Sequence, residues 1–223
     1  MIHDSWLQQL RVADNDASVI AGFLADGVPD DGLQHAGQAV LRCSSSTELI
    51  ATANTLIGSL SRRDWIGDRE LIAELEHVCD GTTSALRLLA VDLDEIGEAC
   101  DQSPASVSYI DVANEVLWPG ELFDVDQGPV DFDEDDSHRW LPVVGSGSGA
   151  AYAVMERFIS TIESPGLAAR LQDAINGSGA FRRFQAELSR HDDQYTRWNR
   201  YHDDARLGHA RTWLAERGYR STR

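Results

Sequence analysis

The sequence predicts an α+β fold dominated by helix: an N-terminal helical bundle, a small three-stranded antiparallel sheet and a C-terminal helical unit. Three observations predict it. Apolar residues recur at helical spacing through the first third of the chain. Apolar and polar residues then alternate, as in half-buried strands, between residues 106 and 144. Helical spacing returns at Ala150 and holds almost to the end. We place an N-terminal unit at residues 1–85 and an α+β unit at 86–220, with its sheet at about 106–144 and its helices at about 150–218.

Residues 4–12, 16–26, 33–42, 47–60 and 68–79 read as short amphipathic helices. Trp6, Leu7 and Leu10 share one helical face, as do Ile20, Phe23 and Leu24. Residues 14–16 and Pro29-Asp30-Asp31-Gly32 interrupt the pattern. Ser46 or Thr47 is placed to cap the fourth helix and Asp68 the fifth. Short helices with short connections suggest a bundle or stacked helix pairs, and no fixed-period repeat is visible. Residues 86–91 read as a strand or a buried connector, after which Asp92, with Glu95 three residues on, opens a helix. Residues 106–111 and 115–118 alternate as strands, and Pro119-Gly120 ends the second. Residues 124–138 are rich in Asp and Glu and contain Gly128-Pro129, a solvated loop. Residues 139–144 form a third strand, which Pro142 assigns to an edge. Helices follow at about 150–162, 165–176, 178–189 and 193–217, with joints at Asn176-Gly177 and Ser178-Gly179 and Gly218 as C-cap glycine.

The chain has 223 residues, long enough for a substantial core in one large or two small domains. Hydrophobic content of 42% and charged content of 25% are an ordinary globular balance. No apolar run approaches the ~20 residues that span a bilayer, so we expect no membrane association. Residues 1–11 carry Asp4 early and no basic stretch followed by an apolar one, and we expect no signal peptide. Cys43, Cys79 and Cys100 are odd in number and widely spaced, which argues against a disulfide framework or a CxxC zinc site and for a reducing cytoplasm. Lysine is absent and all 19 basic residues are arginine. That excludes P-loop and protein-kinase chemistry, pyridoxal phosphate and Schiff-base catalysis, and a Ser-Lys dyad, each of which requires a lysine amine.

Charge is divided unevenly. Residues 1–149 hold 28 Asp and Glu against 7 Arg, a net of −21, whereas residues 150–223 hold 9 against 12, a net of +3. An acidic front makes free nucleic acid a poor partner for the whole chain, because phosphate neutralisation needs clustered cations. Attraction between the halves, or a basic protein partner, fits better.

Three stretches carry a family resemblance. They are Val91-Asp92-Leu93-Asp94-Glu95-Ile96 with Glu98-Ala99; Tyr109-Ile110-Asp111-Val112 with Glu115-Val116-Leu117; and Tyr152 with Met155-Glu156-Arg157-Phe158, followed by the segment from Gly179-Ala180-Phe181-Arg182-Arg183-Phe184 to Trp213-Leu214-Ala215-Glu216-Arg217-Gly218. Over residues 89–220 the chain resembles a bacterial family, uncharacterised protein family number 0158. The resemblance implies a short opening helix, a strand–turn–strand run and a helical C-terminal segment, and it implies no activity, substrate or ligand.

Four constellations invite a chemical reading. Gly145-Ser146-Gly147-Ser148-Gly149-Ala150, between a strand and a helix, has the context of a phosphate-cradling turn. No second strand or acidic partner follows it, so a Gly/Ser connector competes; Ser146 or Ser148 as an elbow nucleophile lacks the Gly-x-Ser-x-Gly frame. Asp124, Asp126, Asp131, Asp133, Glu134, Asp135 and Asp136 suggest calcium, but counting from Asp131 an EF-hand would need Gly where Asp136 stands and Glu where Pro142 stands. His191-Asp192-Asp193, His202-Asp203-Asp204 and His209 suggest a metal hydrolase, yet on one helix they are separated by ~16 Å and ~10 Å. Phe181, Phe184, Leu188, Tyr195, Trp198, Tyr201 and Trp213, interleaved with Arg182, Arg183, Arg190, Arg197 and Arg200, suggest an RNA platform, or more simply a core stripe with arginines outward. In that core reading Phe181, Phe184 and Trp198 are interior.

The expectation is a non-enzymatic cytoplasmic interaction or regulatory protein that binds a protein partner, with no catalytic residue, no metal and no cofactor. Asp131, Asp133, Asp135, Asp136, Arg182 and Arg183 are the expected partner-binding residues, with the acidic run latched against Arg182 and Arg183 when no partner is present. A hydrolase using acidic and histidine residues, and an RNA- or ribosome-associated protein using the Arg/aromatic face, are the alternatives.

Overall fold

The computed structural model describes residues 5–13, 16–43, 46–125 and 127–223; Asp4, Asp14, Asp126 and the side chain of Asp124 lie outside the described part. Eleven α-helices and a three-stranded antiparallel sheet are present among the described residues, an α+β arrangement dominated by helix. No helix among them is long and apolar enough to cross a membrane.

The N-terminal unit holds α1 (Ser5–Val12), α2 (Ala17–Ala25), a 3-10 turn (Asp30–Gly32), α3 (Leu33–Arg42), a second 3-10 turn (Thr47–Leu49), α4 (Ile50–Arg63) and α5 (Asp68–Asp80). Asp16 starts α2 by accepting the amides of Ser18 and Val19. Ser46 accepts the amide of Glu48, so the expected cap is present, but it opens the 3-10 turn before α4. Asp68 does not cap its helix. Gly67 occupies the N-cap position, and the Asp68 carboxylate turns inward. Residues 33–41 of α3 are all buried, which makes this helix the centre of the unit.

The middle of the chain contributes β1 (Arg87–Leu88), α6 (Leu93–Asp101), β2 (Val107–Asp111), β3 (Val116–Trp118), α7 (Gly120–Asp124) and β4 (Trp140–Val144). Asp92 caps α6 through the amide of Asp94, 2.8 Å away. The sheet order is β3-β2-β4, with Asp111 opposite Val116 and Trp140. Pro142 lies on the edge strand β4, where its missing donor costs no ladder bond on the outer side. The β2–β3 turn is closed by Asp111, whose carboxylate accepts the amides of Ala113 and Asn114 and the side-chain amide of Asn114, with Glu115 in the left-handed region at φ 56°.

The remainder is α8 (Gly147–Ser160), α9 (Pro165–Ile175), α10 (Ala180–Leu188), α11 (Asp192–Ala215) and β5 (Tyr219–Arg220). β5 returns to pair in parallel with β1. Gly218, at φ 83°, turns the chain out of α11 and donates its amide to Ala215.

Three apolar clusters result. One fills the N-terminal unit around Leu33, Leu56 and Leu75. The second joins α6 and the sheet to Leu207, Ala210 and Leu214 of α11. The third joins α8, α9 and α10 to Trp198 and Tyr201 of α11. The 24-residue α11 therefore serves two cores. It meets the N-terminal unit across a polar seam. Arg211, 2% exposed, donates to Gln34 at 3.1 Å, to Glu74 at 2.9 Å and to Gln38 at 2.5 Å. Asp204 accepts from the Gln34 amide at 2.7 Å and from Arg63 at 2.6 Å, and Arg63 also holds Asp68. Gly67 and Gly208 let the α4–α5 turn press on α11: a Cβ on Gly67 would stand 2.3 Å from the Gly208 Cα.

Candidate functional site

The acidic segment is more ordered than a plain loop. Phe123 on α7 and Phe132 pack on Tyr109 of β2 with ring centroids 5.0 and 4.7 Å away, and Phe132 meets Trp140 at 5.2 Å. These rings cover the sheet on the face opposite Ile110 and Val143, which belong to the α6 core. The carboxylates face outward around them. Asp131 pairs with Arg139 at 2.7 Å, and Arg139 also pairs with Asp111 at 2.8 Å. Arg139 holds the Asp111 carboxyl down to about 2, against burial, with Asn114 and the turn amides adding to the effect. Glu134 accepts the Tyr109 hydroxyl at 3.2 Å. Asp133 accepts the amide of Asp135, and Asp136 those of His138 and Arg139, so these two shape the segment as well as charge it. Val130 beside them is fully exposed.

The latch between this run and Arg182 and Arg183 is not formed. Asp131 is satisfied by Arg139 of its own unit. The Arg183 guanidinium instead donates to the carbonyls of Ala174, Asn176, Gly177 and Ser178, closing the C-terminal end of α9 where helix carbonyls lack amide partners. Arg182 is exposed and makes no ion pair among the described residues. The two halves of the chain do attract, through other residues: Arg200 to Asp31 at 2.8 Å, Arg206 to Asp94 at 3.2 Å, and the Arg211–Glu74 and Arg63–Asp204 pairs of the seam.

The aromatic series divides. Phe184, Trp198 and Tyr201 are buried at 0%, 2% and 1% exposure, with Phe184 and Trp198 edge to face at 4.7 Å, so their rings are committed to the core. Phe181 is 53% exposed, contrary to expectation. The inward stripe of α10 runs from half-buried Ala180 through the buried Phe184 and Leu188 at steps of four, which turns residue 181 to solvent.

The glycine-rich turn offers little to a phosphate. The Ser146 amide and hydroxyl both donate to the Cys100 carbonyl at 2.7 Å, and the Gly147 amide donates to Gln102. A Cβ on Gly145 would lie 2.2 Å from the Gln102 carbonyl oxygen, so this turn is a close packing joint against the end of α6. The histidines stay apart along α11. His202 faces Asp101 at 3.7 Å, His209 bonds the Ala205 carbonyl at 2.9 Å, and His191 precedes the helix beside Glu187. No group of three or more His, Cys, Asp or Glu that could hold a metal gathers among the described residues. All three cysteines are free, and burial pushes the Cys100 thiol up to about 11.

Two hollows flank Trp65, in the turn between α4 and α5. One is an open polar groove of about 890 Å³ bounded by Asp31, Thr161, Glu163, Arg197 and Arg200. Its charges are largely used within the protein, because Arg200 and Arg197 both face Asp31 and Arg197 also donates to Thr161 at 2.7 Å. The other is a mainly apolar cavity of about 230 Å³ between α8 and α11, lined by Trp65, Val154, Arg157, Tyr201, Asp204 and His209 among others. Burial raises the Asp204 carboxyl to about 6 against the opposing pull of Arg63 and the Gln34 amide, and both of its oxygens are engaged. Burial lowers the His209 imidazole. The sequence reading passed over this cavity, although Tyr201, Ala205 and His209 at steps of four announce one face of α11.

Comparison with protein-family models, with curated proteins and with solved structures finds no match to this chain.

Proposed function

We propose that this is a non-enzymatic interaction protein, kin to uncharacterised protein family 0158 over residues 89–220, that docks a basic protein partner on its acidic segment. The observation that carries the reading is the way Phe123 and residues 127–136 are built onto the sheet. Two phenylalanines fix the segment to the sheet while Asp133 and Asp135 remain exposed beside Val130. A preorganised display of charge with an apolar contact at its centre lowers the ordering cost of binding, and charge complementarity speeds encounter.

The use of the C-terminal arginines supports it further. Arg183, Arg200, Arg206 and Arg211 are bound to carbonyls and carboxylates within the molecule, and Asp133 and Asp135 make no ion pair among the described residues, which leaves their charge open to a basic partner. A binding role also fits Asp204, which has no free oxygen with which to act as a base. Unpaired thiols at Cys43, Cys79 and Cys100 agree with a reducing, cytoplasmic setting.

The test is Asp133→Asn with Asp135→Asn, which keeps the oxygen that shapes the turn and removes two charges. Titration calorimetry with an arginine-rich peptide should show affinity falling about tenfold and a weaker salt dependence. Equal affinity for the two proteins would refute the assignment.

A further inference from the structure

The turn that joins α9 to α10 carries an inference independent of the acidic segment. Of the asparagines in the chain, only Asn176 is followed by glycine. The pair lies where α9 ends, and residues 176–179 are exposed. The Asn176 side chain makes no hydrogen bond among the described residues, and neither does the Gly177 amide. Gly177 stands at φ 79°, and a Cβ there would meet nothing within 4 Å. A side-chain amide carbon and the next backbone nitrogen are thus both uncommitted and unshielded. What restrains them is Arg183. Its guanidinium donates to the carbonyls of Ala174 at 3.0 Å, Asn176 at 2.6 Å and Gly177 at 3.3 Å, and also to that of Ser178. With these bonds in place Asn176 sits at ψ 119°. Attack of the Gly177 nitrogen on the Asn176 Cγ would close a five-membered ring, which requires that nitrogen to eclipse Cβ at a ψ of the opposite sign. The arginine clamp therefore holds the pair out of the reactive geometry.

We propose that Asn176 is a site of spontaneous deamidation and that Arg183 gates it. When the turn opens, the Gly177 amide gives up its proton to solvent and its nitrogen bonds to the Asn176 Cγ. The bond from Cγ to the side-chain nitrogen breaks, and that nitrogen takes up a proton and leaves as ammonia. Water then opens the succinimide at either carbonyl, leaving aspartate or isoaspartate at position 176. One water is consumed and one ammonia released. Asparagine is among the thermolabile residues, and glycine as its successor offers the least hindered nitrogen because it has no Cβ. Isoaspartate adds a methylene to the main chain, so the four carbonyls no longer fit one guanidinium. Ile175, fully buried in the third core, precedes the site, so the change loosens that core from its edge.

The experiment is incubation of the full chain in warm, mildly alkaline buffer. Peptide mapping reads the amide-to-acid mass change at each asparagine, and enzymatic methylation reads isoaspartate. Wild type in urea should convert at Asn176 ahead of Asn54, Asn114 and Asn199. Folded wild type should convert there about tenfold more slowly, the factor that ~1.4 kcal/mol of restraint carries. Arg183→Gln removes the clamp and should bring the folded rate at Asn176 close to that in urea. Arg183→Lys is the gentler variant, because it keeps the charge while a single amine cannot span four carbonyls; it should give an intermediate rate. In both variants Asn54 and Asn199, held within α4 and α11, should stay at wild-type rates. Three outcomes would overturn the proposal: no conversion at Asn176 in urea, equal rates at Asn176 in folded wild type and both variants, or a rise in both variants shared equally by Asn54 and Asn199.

Discussion

At the scale of single residues, neighbours in sequence have opposite fates. Phe184 is enclosed by Phe158 and Trp198, whereas Phe181, one turn earlier, stands 53% exposed. Phe184→Ala should cost ~3–5 kcal/mol, the usual range for emptying a buried aromatic site. Phe181→Ala should stay within ~0.5 kcal/mol of wild type, as surface changes do. Chemical denaturation of the two variants measures both, and equal losses would contradict the packing described. The amphipathic pattern marked Phe184, Leu188 and Trp198 as interior. It misplaced Phe181 because, on a short helix, stripes at steps of three and of four both fit the sequence. Only the neighbours at Ala180 decide between them. Arg183 was invisible in its real role for a related reason: a guanidinium that closes the end of a preceding helix leaves no local pattern.

At the scale of elements, structure is legible wherever a cap or a period is local. Asp92 starts α6 where the sequence places it, the expected cap at Asp68 is absent, and the three strands lie within a residue of the alternating runs. The β1–β5 pair was missed because two-residue strands from opposite ends of the chain have no signature until they meet. The short α7 was missed under the charge of its surroundings. The β2–β3 hairpin supplies a pH prediction. Asp111 is held at about 2 by Arg139 and the turn, below the ~3.9 of an unfolded aspartate. The unfolded chain therefore binds the proton first. The stability contributed by Asp111 is complete above pH ~4 and is lost as pH falls toward about 2. Melts across that interval should show a smaller loss for Asp111→Asn than for wild type. An identical acid dependence would mean that the Arg139 pair does not set this titration.

At the scale of the whole molecule, α11 organises the fold by packing into two cores and facing the N-terminal unit across a polar seam. This seam was unreadable because Gln34 and Gln38 look like surface residues until Arg211 is placed against them. Arg211→Met should cost ~3–5 kcal/mol by stranding the Glu74 charge, and adding Glu74→Gln should recover part of that loss. A double variant as unstable as the sum of the singles would show that the pair is not coupled. The candidate cavity shares this obscurity, since Trp65, Arg157, Tyr201 and His209 come from three separate elements. The acidic segment was legible as charge, but its anchoring by Phe123 and Phe132 was not. The net charge of −18 bears on association, and the central claim is where that charge is put to use. Amide hydrogen exchange, followed with and without an arginine-rich peptide, tests it most directly. The account predicts slowed exchange centred on residues 130–138, with α10 around Arg182 unchanged. Protection spread evenly over the acidic front, or centred on α10, would contradict it.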